Sequence, residues 1–445
     1  MHDDLATAVD TDFARARKEL EELVNIPSVS APDFDSAQVR RSAEAVAGLL
    51  RASGVEAVRL LEIDGAHPAV YGEIAAPPGA PTVLLYAHHD VQPPGPAEEW
   101  ETDPFQPTER DGRLYGRGSS DDKAGVIVHT AAIRAFDGSL PVGIKLFIEG
   151  EEEIGSTNVD AFMSEYGDLL AADVVVIADS GNLAAGVPSL TTSLRGLVDC
   201  VVLVETLDAA VHSGEFGGPF PDAITVLSRM IATLHDDEGN VAVRGLVAGE
   251  AADVDLTEAT LREQTGAVAG LELIGSGTLT SRMWRKPAIA VLAFDAPPIS
   301  HAINQIVPRA SAKVSMRIPP GQDPSSAMAA LISHLEAAVP WGAKATITPE
   351  ATGDPIEIDT AGPVPRVFAA AMEAGYGAEV VEIGVGGTIP IVAALGKAHP
   401  EASVILNGVA DRTSRAHGPN ESVSLADLRS GILAEAIALR LLAPA

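Results

Sequence analysis

The sequence predicts an α/β fold in which helices flank a mostly parallel central sheet, interrupted by an inserted ferredoxin-like α+β domain. Three observations lead to this prediction. Amphipathic helices alternate with short apolar strands in the first part of the chain, a β-α-β order replaces them in the middle, and the alternation then resumes. With 445 residues, the chain also exceeds the ~250 to 300 residues beyond which single hydrophobic cores stop growing, so at least two domains are expected.

Helices and strands alternate up to residue 179. Residues 13–24 and 36–53 carry apolar side chains on one helical face, and Gly54 provides a C-cap for the second helix. The elements predicted after them are strands at 69–76 and 82–87, a helix at about 122–136, and strands at 145–149 and 174–179. This alternation favours an α/β domain with a largely parallel sheet.

The order of elements changes in the middle of the chain. The elements predicted there are a strand at 197–205, a helix at 222–235, a strand at 311–318, a helix at 324–338 and a strand at 344–350. Their β-α-β order is typical of a small ferredoxin-like layer, whereas residues 240–300 show no pattern that decides their structure. Because the alternation resumes after this block, we expect residues 1–194 and 354–445 to form one discontinuous domain, into which residues 195–353 are inserted.

Charge and cysteine content limit the partners and cofactors. The chain has 62 Asp and Glu residues against 30 Lys and Arg residues, a formal net charge of -32, which repels nucleic acid and anionic membrane surfaces. No run of ~18 apolar residues is present and the first residues lack a signal-peptide pattern, so we expect a cytoplasmic protein. Since Cys200 is the only cysteine, a bound metal would need histidine and carboxylate ligands.

Metal-binding side chains recur where predicted strands end. In VLLYAHHDV, side chains alternate along the strand, so His88 and Asp90 share a face while His89 points to the other. A carboxylate beside a ligating histidine commonly fixes its tautomer and orientation. The alternative is an ordinary histidine pair at the start of a loop.

Four other polar clusters occupy similar places. In LYGRGSSDDKAG, Asp121 and Asp122 are adjacent carboxylates that repel each other and persist best near a cation, although acidic residues also favour a solvated helix N-terminus. The remaining clusters are the carboxylates of EGEEEIGS (Glu149, Glu151, Glu152 and Glu153), Asp179 at the end of VVVIAD, and His417 in RAHGPNES. Each has an ordinary interpretation as loop, cap or solvated charge. Together they lie where open α/β sheets bind ligands, which predicts a single site.

These motifs resemble those of the M20 metallopeptidases, a family that includes cytosolic carnosine-type dipeptidases, carboxypeptidases and aminoacylases. The matching motifs, in order, are HxD at 88–90, GRGSSDDKAG at 116–125, EGEEEIGS at 149–156, Asp179, HSGEFGG at 212–218, GGTIP at 386–390 and HGPNE at 417–421. Each motif is short, but their order and spacing make the combination specific. The resemblance spans nearly the entire chain.

The resemblance implies a centre of two zinc ions, or of Mn²⁺ or Co²⁺. The implied ligands are His88 and Asp179 for one ion, Glu153 and His417 for the other, and Asp121 as the bridge between them. Asp90 would orient His88, and Glu152 would be the general base acting on a water that bridges the metals. The family also implies a cis peptide bond between Asp121 and Asp122. Glu149 has no assigned role.

The same resemblance gives the inserted domain a function as a lid and a dimerisation domain of a homodimer. His212 matches a histidine that reaches the partner's active site and hydrogen-bonds the developing oxyanion, with a capping histidine in a Gly-rich loop as the alternative. The residues implied in binding the substrate's C-terminal carboxylate are Arg317, Thr388 and Gly387. Contacts of Asn304, Gln305 and His301 with substrate stay open.

Within the family, the sequence favours a metal-dependent dipeptidase of the carnosine type that acts on small peptide substrates. Asp at position 179, where carboxypeptidases have Glu, and the length of the inserted block both resemble the dipeptidase branch. The alternatives are an N-acyl-amino-acid amidohydrolase or carboxypeptidase on the same site, and a non-hydrolytic binding protein on a peptidase scaffold. The preferred side chains of the substrate, the native metal and the physiological pathway stay open.

Overall fold

A computed structural model describes residues 2–251, 254 and 256–444 of the chain. The helices are α1 (Asp3–Val24), α2 (Ser36–Ala52), α3 (Lys123–Arg134), α4 (Val159–Tyr166), α5 (Ser213–Phe216), α6 (Ala223–Ala232), α7 (Glu258–Thr265), α8 (Leu279–Trp284), α9 (Pro324–Ala337), α10 (Pro363–Tyr376), α11 (Pro390–Ala398) and α12 (Leu425–Leu441). In the described part of the chain, no helix combines the length and apolar character needed to cross a membrane.

The strands are short and mostly apolar. They are β1 (Arg59–Leu61), β2 (Ala69–Ile74), β3 (Thr82–His88), β4 (Thr108–Arg110), β5 (Arg113–Tyr115), β6 (Gly143–Glu149), β7 (Val174–Ile177), β8 (Ser189–Leu194), β9 (Gly196–Glu205), β10 (Val211–His212), β11 (Ala288–Asp295), β12 (Gln305–Ile306), β13 (Arg309–Ile318), β14 (Lys344–Gly353), β15 (Ile356–Glu357), β16 (Val381–Val385), β17 (Ser403–Leu406) and β18 (Ser422–Ser424).

Side chains at the helix ends account for several of these bounds. The carboxylates of Asp35 and Asp323 accept hydrogen bonds from backbone NH groups in the first turns of α2 and α9. Gly377, with φ of 69°, ends α10 in the left-handed conformation that glycine adopts without strain. Helix α1 begins ten residues before the predicted start, because Leu5 and Val9 extend its buried face toward the N-terminus.

The chain divides into two compact units. The first comprises the chain up to Thr192, Ile358–Ile383 and the chain from Ile389 onward, and the second comprises Ser193–Glu357 and Gly384–Thr388. The short segment Gly384–Thr388 therefore groups with the second unit, although it follows the predicted insertion in sequence.

The first unit contains a six-stranded sheet in the order β1-β2-β6-β3-β7-β17. Strands β6, β3, β7 and β17 run parallel to one another, while β1 and β2 pair antiparallel at one edge. The predicted central sheet, mostly parallel and flanked by helices, is confirmed. Because β6, β3 and β7 are parallel neighbours, their C-terminal ends at Glu149, His88 and Ile177 lie along one edge of the sheet.

Helix α3 is buried along most of its length in this unit and contains an ionisable residue, His129. The ring Nδ1 of His129 lies 2.9 Å from both carboxylate oxygens of Glu435, and Nε2 lies 2.9 Å from the backbone oxygen of Tyr86. Both ring nitrogens therefore face acceptors, and His129 links α3 to α12 and β3. This arrangement gives His129 a structural role.

The second unit contains a four-stranded antiparallel sheet in the order β11-β13-β9-β14, with α6 and α9 packed against it. With the chain order β9-α6-β11-β13-α9-β14, this is the predicted ferredoxin-like arrangement. Strand β11 comes from the region that the sequence left undecided. Its sequence, AIAVLAFD, is apolar on both faces and mostly exposed at the sheet edge, so it lacks the alternation that identifies half-buried strands.

Candidate metal centre

The predicted metal-binding residues of the first unit converge at the C-terminal edge of its sheet. His88 is the last residue of β3, and Asp179 follows β7 by two residues. Glu152 and Glu153 lie in the short 3₁₀ turn that follows β6. Three parallel strands that are neighbours in the sheet thus place one histidine and three carboxylates at the same edge.

Asp121 lies between two histidines. Its Oδ1 is 3.1 Å from Nε2 of His88, and its Oδ2 is 3.1 Å from Nε2 of His417. The peptide bond between Asp121 and Asp122 is cis, as predicted. His417 lies in the loop before β18 with φ of 63°, a left-handed backbone conformation that is uncommon outside glycine. One carboxylate therefore joins two histidines that are far apart in sequence.

The first group forms around His88. Its Nδ1 faces the backbone oxygen of Asp90 at 3.1 Å and the Asp90 carboxylate at 3.4 Å, so this nitrogen carries a proton. In the neutral ring, the lone pair of Nε2 then points toward the oxygens of Asp121 and, at 3.7 Å, of Asp179. Lone pairs that face one another are stabilised by a proton or a metal cation between them. The chemistry of this donor set therefore fits a metal ion.

The second group forms around Glu153. Its Oε2 lies 3.2 Å from Nε2 of His417. Gln92 orients this carboxylate, because its backbone NH donates to Oε1 at 3.1 Å and its side-chain amide donates to Oε2 at 2.8 Å. The carboxylate of Asp90 accepts a hydrogen bond from the backbone NH of Glu153 at 3.1 Å. Asp90 thus connects the two groups, since it also fixes His88.

The spacing of donor atoms fits metal coordination. The ligand atoms of His88, Glu152 and Asp179 lie within 4.8 Å of one another, and so do those of His88, Asp121 and Glu153. Ligands bound at ~2.0 to 2.2 Å from one ion are themselves separated by about 3 to 4 Å. The two sets share His88, so they lie side by side, as the positions of two adjacent ions would. Glu152 also falls within one set, and an ionised carboxylate there can accept either a metal ion or a proton.

The electrostatics of the cluster favour positive charge. Hydrogen bonds to Asp121 and Glu153 raise the pKa of His417 to about 11. Burial opposes the charged form of His88, but its hydrogen bonds to Asp121 and Asp179 outweigh burial and raise its pKa well above the usual range. Burial, followed by the charge of Asp121, raises the pKa of Glu153 to about 7. Divalent cations would stabilise all of these carboxylates in the ionised form.

Burial also raises the pKa of Glu152 and Asp179, whose ligand atoms lie within 4.8 Å of each other and of His88. The pKa of Glu152 lies well above its usual range because of burial and then the negative charge of Asp179. Burial likewise raises the pKa of Asp179. Two like charges held this close in a buried place are costly unless a cation is present.

The supporting roles of several residues escaped the sequence analysis. Gln92 is one, because a glutamine that holds a ligand gives no motif signal. Glu151 is another: it is buried and accepts hydrogen bonds from the backbone NH of His67 at 2.7 Å and from the amide of Asn158 at 2.9 Å. Glu149 is buried and accepts a hydrogen bond from the hydroxyl of Tyr86 at 2.8 Å. Its position at the end of an apolar strand, where an unpaired charge is costly, was a usable signal.

The second unit brings together His212, Asn304 and Gln305. Strand β10 pairs with β12, so His212 lies opposite Gln305, and the backbone oxygen of Asn304 accepts a hydrogen bond from Ser213 at 3.1 Å. The ring Nδ1 of His212 accepts a hydrogen bond from the backbone NH of Gly214 at 3.1 Å. Its Nε2 then carries the proton and can act as a donor. His301 is exposed in a short 3₁₀ turn.

Arg317 lies on β13 in the same unit, close to a second arginine that the sequence analysis did not identify. Arg317 on β13 pairs with Leu197 on β9, and Arg195 lies directly before β9, two residues from Leu197. Burial and then the charge of Arg317 lower the pKa of Arg195 to about 10. In the described part of the chain, neither guanidinium forms a salt bridge. Such a pair is suited to binding an anionic group.

The predicted residues Gly387 and Thr388 belong to the same unit as this pair. The guanidinium of Arg195 lies 2.9 Å from the point where a side chain at Gly386 would begin, so residue 386 has no room for one. The methyl of Thr388 lies 3.3 Å from the corresponding point at Gly353. The loop is therefore packed against β14 on one side and against Arg195 on the other.

The fold and the histidine and carboxylate cluster define the class of this protein as a metallopeptidase of two compact units. The sequence pattern of Peptidase family M20/M25/M40 matches residues 84–440, and the chain belongs to this family. The predicted family membership is therefore confirmed.

Known relatives are similar over nearly the full length of the chain. A cysteinylglycine-S-conjugate dipeptidase of Corynebacterium striatum is 34% identical over 430 residues, which cover 95% of this chain and 94% of that protein. The structure of the dipeptidase Dug1p from Saccharomyces cerevisiae matches with a TM-score of 0.86 at 23% identity, covering 99% and 98% of the two chains. An M20 family metallo-carboxypeptidase, Sso-CP2 from Sulfolobus solfataricus, matches with a TM-score of 0.81 at 26% identity, covering 96% and 99%.

Proposed function

We propose that this chain is a metal-dependent dipeptidase that hydrolyses dipeptides, or short peptides with a free C-terminal carboxylate. The observation that carries the proposal is the position of Asp121, whose two oxygens face two different histidines. This arrangement offers two adjacent ligand sets that share one residue, as hydrolysis by two metal ions requires. The extended similarity to the Corynebacterium dipeptidase supports the same type of reaction.

The proposed ligands are His88 and Asp179 for one ion, Glu153 and His417 for the other, with Asp121 as the bridge. Imidazole and carboxylate ligands suit Zn²⁺, and they also accept Mn²⁺ and Co²⁺. Two zinc ions are therefore the proposed cofactors. When bound, they would polarise the scissile carbonyl and lower the pKa of the attacking water toward ~7.

The protein's own groups move the proton and hold the ligands. Glu152 is the proposed general base, which accepts the proton of the attacking water and returns it to the amine that leaves. Asp90 is proposed to keep His88 in the tautomer whose Nε2 is free to bind metal, and the contact between its carboxylate and Nδ1 of His88 supports that role.

The substrate's carboxylate is proposed to bind to Arg317, with Arg195 as a second cationic group. Two guanidiniums without a salt bridge in the described residues support this assignment, since a carboxylate would balance their charge. Thr388 and the backbone at Gly387 are proposed to donate hydrogen bonds to the same group. A requirement for this carboxylate would restrict the enzyme to C-terminally free substrates.

We also propose a homodimer formed through the second unit. Strand β11 is an edge of its sheet, and three of its apolar side chains are 40% to 58% exposed: Val291, Leu292 and Phe294. An exposed apolar edge strand is normally covered or paired, and a second copy of β11 would do so. In the dimer, His212 is proposed to donate its Nε2 proton to the oxyanion in the partner's site.

Mixing two inactive variants tests the dimer and the role of His212 together. Heterodimers of His212→Ala and Glu152→Gln chains contain one site with both groups intact if His212 acts in trans, and we expect activity to return to that site. Neither variant alone regains activity. Subunit exchange is checked by native mass spectrometry of tagged chains. Confirmed heterodimers without activity would place His212 in its own chain's site or outside catalysis.

A substrate panel with added Zn²⁺ or Mn²⁺ tests the reaction. The panel contains Cys-Gly, S-conjugates of Cys-Gly, β-Ala-His, and matched N-acylated and C-amidated dipeptides. We expect free dipeptides to be hydrolysed and C-amidated ones to be resistant. Absence of hydrolysis of any free dipeptide by protein with verified metal content would refute the proposal.

A carboxypeptidase or N-acyl-amino-acid amidohydrolase acting at the same site is the second candidate, and the similarity to the Sulfolobus carboxypeptidase favours it. Preferential hydrolysis of N-acylated substrates in the panel would support it. A binding protein without turnover is the remaining alternative. A cytoplasmic location belongs to the proposal as well, because Cys200 is buried and unpaired and so needs no oxidising compartment.

A further inference from the structure

We propose that the buried ion pair of Arg117 and Glu421 positions the ligands Asp121 and His417. It holds them at the correct separation for the metal ion that Glu153 and His417 are proposed to bind. The inference rests on the proposed function. Neither side chain is a proposed ligand and neither is assigned to catalysis. The argument depends on which backbone groups the two side chains bind.

Glu421 is fully buried and binds the glycine-rich loop that precedes α3. Its Oε2 accepts hydrogen bonds from Arg117 at 2.5 Å and from the backbone NH of Gly118 at 3.0 Å. Its Oε1 accepts from the backbone NH and the hydroxyl of Ser120, both at 3.0 Å, and from the backbone NH of Asp121 at 3.1 Å. The carboxylate thus fixes the backbone of the bridging ligand directly.

Arg117 is only 1% exposed and extends the same connection to two other segments. Its NH2 group donates to the backbone oxygens of Pro93, at 3.3 Å, and of Gly418, at 3.2 Å. The guanidinium also lies 5.5 Å from the ring centre of Trp100. Pro93 follows the HxD motif, and Gly418 follows His417. The pair therefore joins all three segments that carry His88, Asp121 and His417.

The two histidines depend on this connection to different degrees. The side chain of His88 is fully buried at the end of a central strand, so its position is fixed by packing and by Asp90. The side chain of His417 is 59% exposed and projects from a loop. The ring of His417 contacts Asp121 and Glu153, and it can reach them only if its backbone is correctly placed. Arg117 binds that backbone one residue away. Loss of the ion pair should weaken the His417 site first.

This asymmetry distinguishes a positioning role from a general contribution to folding. A purely structural pair would lower the stability of the unit and reduce the affinity of both metal sites together, or of neither. A positioning pair lowers the affinity of one site while the other keeps its metal. Substitution of residues that hydrogen-bond to metal ligands and orient them typically lowers metal affinity by about 10- to 100-fold.

The experiment compares the full-length Glu421→Gln protein with wild type and with Glu435→Gln. Glu435 is a matched control, since it is a buried carboxylate of the same unit that is paired with His129 and makes no hydrogen bond to a proposed ligand. Stepwise affinities for Zn²⁺ and Co²⁺ are measured by competition with a chromophoric chelator, together with bound metal per chain. Unfolding midpoints of the metal-free proteins are measured in parallel.

We expect Glu421→Gln to bind one ion with an affinity close to that of wild type and the other about 10- to 100-fold more weakly. High free metal should then restore kcat with little change in KM. Glu435→Gln should be less stable than wild type and keep both affinities. Unchanged affinities in Glu421→Gln, or an equal loss at both sites, would overturn the proposal.

A second variant covers the case in which Glu421→Gln fails to fold. Arg117→Lys keeps the positive charge but replaces the planar fork by a single ammonium, which cannot reach Glu421, Pro93 and Gly418 at once. The same selective weakening of one site supports the proposal, and two unchanged sites refute it. Wild-type protein is titrated alongside: if wild type itself binds no divalent ion, the proposed function fails, independently of the ion pair.

Discussion

Replacing Glu152 and Glu153 by glutamine, one at a time, separates proton transfer from metal binding. Glu152 makes no side-chain hydrogen bond in the described part of the chain, so Glu152→Gln breaks no protein contact and removes only a proton acceptor. Positioned acid–base catalysis contributes about 100- to 10,000-fold to rate. This corresponds to roughly 2.7 to 5.5 kcal/mol of activation free energy. We expect kcat to fall by that factor while both metals stay bound.

Glu153→Gln should have a different effect. The two oxygens of Glu153 accept hydrogen bonds from the backbone NH and the side chain of Gln92, and Oε2 also faces His417. A glutamine offers one acceptor oxygen in place of two, so an NH₂ group must face one of these donors. The ligand set also loses one negative charge. We expect one of the two metals to be lost at limiting concentration.

The assay measures metal per chain after equilibration with limiting zinc, together with kcat and KM on one dipeptide. Circular dichroism checks that both variants are folded. The reasoning is refuted if Glu152→Gln loses a metal while Glu153→Gln keeps both and loses kcat. That result would make Glu152 the ligand, an outcome consistent with its position within 4.8 Å of His88 and Asp179.

Three further predictions follow from the structure. Exhaustive chelation with EDTA should abolish activity, and Zn²⁺, Mn²⁺ or Co²⁺ should restore it; full activity with verified metal loss would contradict the site assignment. Arg317→Met should raise KM for free dipeptides at least tenfold and leave slow hydrolysis of C-amidated ones unchanged, because a charge-assisted bond to the carboxylate is lost; equal effects on both substrates would argue against that contact. The third concerns His129: burial opposes its charged form, but Glu435 outweighs burial and raises the pKa of His129 in the folded chain. Its contribution to stability is therefore complete below the unfolded pKa of ~6.5 and is lost as pH rises through the folded pKa, by up to ~1.4 kcal/mol per pH unit. Denaturant titrations of metal-free protein between pH 6 and 9 should show this slope in wild type and not in His129→Gln, and equal slopes would refute it.

Helices and strands with a regular pattern of apolar residues can be predicted from the sequence. Elements whose structure depends on contacts with residues distant in the chain are harder to predict. The parallel strands β3, β6 and β7 are continuous apolar runs, so their positions were recognisable. Strand β11 was not, because most of its apolar side chains are exposed at an edge and its pattern has no buried face. The N-terminal half of α1 was missed because its stripe of apolar residues is sparse and interrupted by charge.

The same limit applies to the site. Residues that would bind metal directly belong to types with strong chemical preferences, and several of them follow apolar strands, which makes them candidates from sequence. Residues that hold those ligands do not have this signal: Gln92 lies 61 positions from Glu153, and Glu421 lies 300 from Asp121. Any polar side chain can make such bonds, so only the folded chain reveals them.

The four carboxylates of the segment EGEEEIGS show how the fold gives different roles to similar side chains. Glu149 accepts a hydrogen bond from Tyr86, Glu151 accepts hydrogen bonds from His67 and Asn158, and Glu153 is held by Gln92. Glu152 alone among them has no donor in the described residues. A general base needs a lone pair that no structural hydrogen bond occupies, and a carboxylate held by two donors is a weaker proton acceptor. This contrast supports Glu152 as the base on grounds independent of the family motif. It also explains why glutamates that are close in sequence need not compete for the same proton.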